Sequence, residues 1–126
     1  NYEERYKLGT ATIHKNNLFI NKEFITCKVK TERLDDLLAS KNIGFIKIDV
    51  EGHEKNVLMG SENLIKKNKP ILLVEIEERH SKEKVEDTIN FINNLGYKSY
   101  FLDKLNLIST TKLKDFKLSN NYIFLS

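Results

Sequence analysis

The chain has 126 residues, 40% apolar and 31% charged, a globular balance that excludes a disordered chain and gives one domain, residues 1–126. Its 21 basic and 18 acidic residues leave a net charge of +3 with the signs interleaved, so there is no basic stripe suited to nucleic acid. The single cysteine, Cys27, excludes an internal disulfide framework and fits a reducing, cytoplasmic compartment, and no apolar run approaches the ~18 residues of a membrane helix.

In chain order, Gly9 to Ile20 is a predicted hairpin. Thr10, Thr12 and His14 alternate with Ala11 and Ile13, and Asn16-Asn17 supplies the turn. Phe24 to Val29 follows as a short strand in which Cys27 is a small apolar filler. Thr31 is placed to cap a helix from Glu32 to Ala39, with Leu34, Leu37 and Leu38 on one face. Phe45 to Val50 reads as a central buried strand between Gly44 and Gly52, and Glu54 to about Lys67 as one helix striped by Val57, Leu58, Leu64 and Ile65. Pro70 opens the strand Ile71 to Ile76, whose continuous apolar run suits cover on both faces.

Ser81 caps the next predicted helix, running to Leu95 with Val85, Ile89, Ile92 and Leu95 buried and Gly96 at the left-handed C′ position. Strands Tyr97 to Leu102 and Tyr122 to Leu125 complete the chain. The order β-α-β-α-β predicts an α/β fold with a mostly parallel sheet and right-handed crossovers. The last strand is reached without a helix and is expected to be antiparallel.

Ligands of open α/β sheets bind beyond the carboxyl ends of the strands. Those ends are acidic: Asp49-Val50-Glu51-Gly52-His53-Glu54 and Glu75-Ile76-Glu77-Glu78. Lys47, inside an apolar strand, is costly to bury unless paired, and Glu75 on the neighbouring strand is its expected partner. Gly52 permits a tight turn or close approach to a ligand, and Glu54 in the first helical turn complements the helix dipole. His53 suits a general base near neutral pH and equally suits a solvent-facing filler. The spacing of Asp49, Glu51 and Glu54 matches no metal loop, so no metal is expected. Neither G-x-G-x-x-G nor G-x-x-x-x-G-K-[ST] occurs, so the chain carries no glycine loop for a phosphate or nucleoside.

The stretch Phe45-Ile46-Lys47-Ile48-Asp49-Val50-Glu51-Gly52-His53-Glu54, followed by Val57-Leu58 and Gly60, resembles the signature of FkbM-type methyltransferases. Thr31-Glu32-Arg33-Leu34-Asp35-Asp36-Leu37, Pro70 to Glu75, Gly96-Tyr97 and Gly9 to Ile13 are similar to flanking segments of that family. The resemblance implies a partial Rossmann-like class I methyltransferase sheet, its strands corresponding to the fourth to seventh of seven, with S-adenosylmethionine as cofactor. It implies a hydroxyl of a sugar, polyketide or similar small molecule as acceptor. The glycine-rich first strand-loop of the family has no counterpart here, and the chain starts at Asn1, so a cofactor-binding N-terminal half is expected upstream. On this reading Asp49 is the first catalytic candidate and His53 the second, Glu51 and Glu75 contact substrate, and Lys47, Gly52 and Glu54 support them. The competing expectation is a non-catalytic α/β module, an oligomer or a partner chain covering an exposed strand edge.

Overall fold

Both periodicities of the sequence, 2 and 3.6, are realised in the computed structural model, which describes residues 28–77, 84–113, 116 and 119–126. The elements are α1 (Leu34–Leu37), β1 (Phe45–Ile48), α2 (Glu54–Met59), α3 (Glu62–Asn68), β2 (Ile71–Glu75), α4 (Val85–Asn94), β3 (Lys98–Asp103), β4 (Asn106–Ser109) and β5 (Asn121–Leu125), with a 3-10 turn at Thr110–Lys112. The predicted hairpin at Gly9 to Ile20, residues 24–27 of the next predicted strand and the Ser81 cap lie outside the described residues. Lys28 and Val29 belong to no element.

The five strands form one sheet in the order β1-β2-β5-β3-β4. β1 and β2 are parallel, with Phe45 opposite Ile71 and Ile48 opposite Val74, as a helical crossover requires. β5 is antiparallel to β2 and to β3, and β4 is antiparallel to β3. The sheet is therefore a mixed one, not the mostly parallel sheet expected. β1, β2 and β3 do share a direction, but β3 does not dock beside β2. β5 runs between them in the opposite sense and completes the hydrogen-bond ladder of both. β4, which sequence reading did not anticipate, folds back on β3 through a two-residue turn where Lys104 takes φ 55°.

Among the described residues β1 is an edge strand rather than the central one expected, and Phe45 is 57% exposed. The core lies on one face of the sheet. Ile48, Leu72, Val74, Tyr122 and Phe124 from the strands form one buried cluster with Leu58, Ile65, Val85, Ile89 and Ile92 from the helices. In α4 the buried positions Val85, Thr88, Ile89 and Ile92 have the spacing of a single helical stripe. By alternation, Phe45, Lys47, Ile71 and Leu73 occupy the opposite face.

The single helix expected from Glu54 to Lys67 is two. The chain breaks at Gly60-Ser61, where the buried Ser61 donates its hydroxyl to the Val57 carbonyl at 2.8 Å. The break admits Asp35, whose N–H donates to the Gly60 carbonyl and whose Oδ1 accepts the Leu64 N–H, both at 2.9 Å. Asp35 thus caps α3 from a distant segment. The helix expected from Glu32 to Ala39 shrinks to one turn, α1, with Arg33 at its N-cap position and no side-chain cap from Thr31.

Burial acts to raise the Asp35 carboxyl, but hydrogen bonds from the Leu64 and Asn63 backbone and the Arg33 guanidinium outweigh it and hold it below the usual aspartate range. A depressed folded pKa contributes stability above the unfolded value, and that contribution is lost as pH falls through the folded one. Asp35→Ala is expected to lower stability by about 1–2 kcal/mol at neutral pH. Urea melts should show the difference from the parent chain shrinking at strongly acidic pH, where Asp35 is protonated in both states.

Among the described residues, no helix is long and apolar enough to cross a membrane.

Candidate functional site

Parallel β1 and β2 end side by side, so the residues after Ile48 and Val74 share one edge of the sheet. Asp49, Glu51, Gly52, Glu54, Glu75 and Glu77 line a small open cleft there. Five of the six are carboxylates. The enclosed space is about 10 Å³, room for about one water molecule, so the cleft is a cluster of carboxylates at the surface and not a cavity that would enclose a whole cofactor.

The turn leaving β1 is built on two left-handed residues, Glu51 (φ 51°) and Gly52 (φ 97°). Glycine adopts that conformation freely, whereas glutamate resists it. Glu54 holds the turn in place: its Oε1 accepts the Gly52 N–H at 2.9 Å, and the residue is only 4% exposed. Glu54 does occupy the first turn of α2, as expected, but helix-end electrostatics is the lesser part of its role. Glu54→Ala is expected to cost about 2–3 kcal/mol, the loss of a buried charge-assisted hydrogen bond. Glu54→Gln, which keeps an acceptor oxygen, should cost about half as much. Amide exchange at Gly52 measured beside urea melts separates local opening of the turn from global unfolding.

Lys47 corrects an expectation. Its side chain is 53% exposed, and its Nζ pairs with Asp49 Oδ2 at 2.9 Å, not with Glu75 in a buried pair. The physical reason is the position of β1, an edge strand whose Lys47 face lies away from the helices, so the ammonium remains hydrated. The hydrogen bond and charge of Asp49 hold the Lys47 ammonium above its usual range, with Glu75 adding to the effect. Glu75 is half-buried in the cleft. Burial pushes its carboxyl above the usual glutamate range, and the charges of Asp49, Glu77 and Glu51 push the same way, while Lys47 opposes them.

Asp49, Glu51, Gly52, Glu54 and Glu75 are thus brought together, with Lys47 beside them. His53 is not among the residues lining the cleft. It precedes α2 half-buried, and its carbonyl accepts the Val57 N–H at 3.1 Å. Glu77, one of the acids of the second strand end, also lines the cleft, since its place two residues beyond Glu75 puts it on the same side of the extended chain. The Asn120 side-chain amide donates to Glu77 Oε1, which ties the end of β2 to the start of β5. Among the described residues, no three His, Cys, Asp or Glu side chains are grouped so as to hold a metal ion.

No curated protein and no solved structure gives a significant match to this sequence. The family described as "Methyltransferase FkbM domain" matches over residues 3–99, which include the turn at Glu51-Gly52 and both acidic strand ends. A match over that much of the chain decides its lineage: the protein belongs to the FkbM methyltransferase domain family.

Proposed function

We propose that this chain supplies the acceptor side of an S-adenosylmethionine-dependent O-methyltransferase acting on a hydroxyl of a sugar, polyketide or similar small molecule. The observation that carries this reading is the carboxylate-lined cleft at the carboxyl ends of two parallel strands, within the segment that matches the family. When bound, the cofactor supplies an electrophilic methyl group on a sulfonium. The carboxylates suit a neighbouring positive charge, while nothing in this sequence forms a glycine-rich cradle for the nucleoside. The chain's own residues hold and orient the hydroxyl. Glu54 fixes the turn, Lys47 fixes Asp49, and Asp49 presents an anionic oxygen at the cleft.

The complementary cofactor-binding half has a place to dock on this reading. Among the described residues β1 is an edge strand, and Phe45 and Ile71 beside it are 57% and 46% exposed. The same edge is the observation that favours a second reading, a non-catalytic module that assembles through β1.

Transfer of a labelled methyl group from S-adenosylmethionine to hydroxyl acceptors, assayed with this chain alone and with a polypeptide supplying the glycine-rich strand-loop, separates the two. Transfer is expected from the pair and not from the chain alone. No transfer from the pair, with stable oligomers of the chain alone, would establish the module instead.

A further inference from the structure

We propose that Glu75, and not Asp49, receives the proton of the acceptor hydroxyl, with Asp49 serving to orient that hydroxyl. The inference rests on the methyl-transfer reading and names the residue that completes it.

Asp49 and Glu75 stand at the ends of adjacent parallel strands, at the same height and on the same face, and both line the cleft. Their surroundings are opposite. Asp49 Oδ2 is engaged with the Lys47 ammonium at 2.9 Å, so a proton arriving on Asp49 weakens an ion pair. Glu75 is half-buried and faces like charges, with Asp49 on the β1 side, Glu51 in the turn and Glu77 beyond its own strand, while the Lys47 ammonium on β1 acts against them. Among the described residues its register partner on β5 is the uncharged Asn121, preceded by Asn120. A proton on Glu75 therefore relieves repulsion and the cost of burying a charge, whereas a proton on Asp49 weakens a favourable contact.

The electrons balance simply. The acceptor O–H bond breaks, and its electron pair stays on the oxygen that bonds the methyl carbon. The proton converts the Glu75 carboxylate to a neutral acid, and the open cleft then returns it to solvent. A general base works best when its carboxyl is raised toward the working pH, the direction in which burial and like-charged neighbours push Glu75.

The test has two arms. In the first, carboxyl ¹³C shifts of the 126-residue chain are followed from acid to neutral pH. Glu75 is expected to titrate above an ordinary glutamate, to move higher in Lys47→Met and lower in Asp49→Asn. An ordinary or low midpoint, or one indifferent to both substitutions, overturns the proposal. In the second, Glu75→Gln in the active pair is expected to lower kcat about 100-fold or more and to remove the acid limb of the pH–kcat profile, with KM little changed. An acid limb that persists in place in Glu75→Gln overturns the proposal. A pair with no turnover before any substitution overturns the methyl-transfer reading instead, and the titration still decides where the proton resides.

Discussion

Asp49→Asn in the active pair is expected to lower turnover by about 100- to 1,000-fold, the usual loss when one preorganised electrostatic contact to a reacting group is removed. The same substitution should hardly move the thermal midpoint. Asp49 is 40% exposed and its partner Lys47 is 53% exposed, and a solvated ion pair contributes about 0–1 kcal/mol. Asparagine keeps the volume of the side chain and an oxygen toward Lys47. It loses the charge whose field orients the acceptor at the mouth of the cleft. Turnover and melting measured on the same preparations check the split. A variant that is active but poorly folded would assign Asp49 to the scaffold. Lys47→Met, which frees Asp49 without removing its charge, should show a smaller loss of turnover than Asp49→Asn.

Phe124→Ala is expected to remove about 3–5 kcal/mol, the range for truncating a fully buried phenylalanine. Phe124 is 0% exposed on β5, the strand between β2 and β3, where it pairs with Leu72 on one side and Ser99 on the other. Domains of this size are stable by about 5–15 kcal/mol, so the loss is a large part of the whole. Phe45→Ala is the matched control. The residue type is the same, but Phe45 is 57% exposed on the edge strand, and its truncation should cost less than about 1 kcal/mol. Urea midpoints at unchanged slope give both numbers. Equal losses at the two positions would mean that β5 is not the centre of the sheet.

Much of the candidate site is legible in the residues. Asp49 and Glu75 close largely apolar runs that read as strands, and acids placed there emerge at the strand ends together if the strands are parallel neighbours. Gly52 marks a backbone that needs a left-handed turn, and φ at that position is 97°. The partner of Glu54 was not legible, because a carboxylate that bonds a backbone N–H two residues earlier has the same local sequence as one that faces solvent beside a helix dipole. Asp35 is hidden for a similar reason. Its N–H and carboxylate act on Gly60 and Leu64, and nothing in residues 33–37 announces contacts that far away in sequence.

Lys47 shows the limit from the other side. Alternation correctly separates it from Ile46 and Ile48, but a period of two says which residues share a face and not which face is covered. Covering depends on where the strand falls in the sheet, and β1 falls at an edge.

By itself, the sequence determined where β1, β2, β3 and β5 lie and that helical segments connect the first three, the common direction of those three strands, and the family. Each of these follows from local period, from the handedness of helical crossovers or from motif residues close together in the chain. Only the tertiary structure decided the neighbours: β5 between β2 and β3, β4 folded onto β3, Asp35 capping α3, and Lys47 paired with Asp49. Adjacency is a long-range property. It is set by which arrangement completes every ladder and buries Tyr122 and Phe124 at once, and no window of sequence contains that comparison.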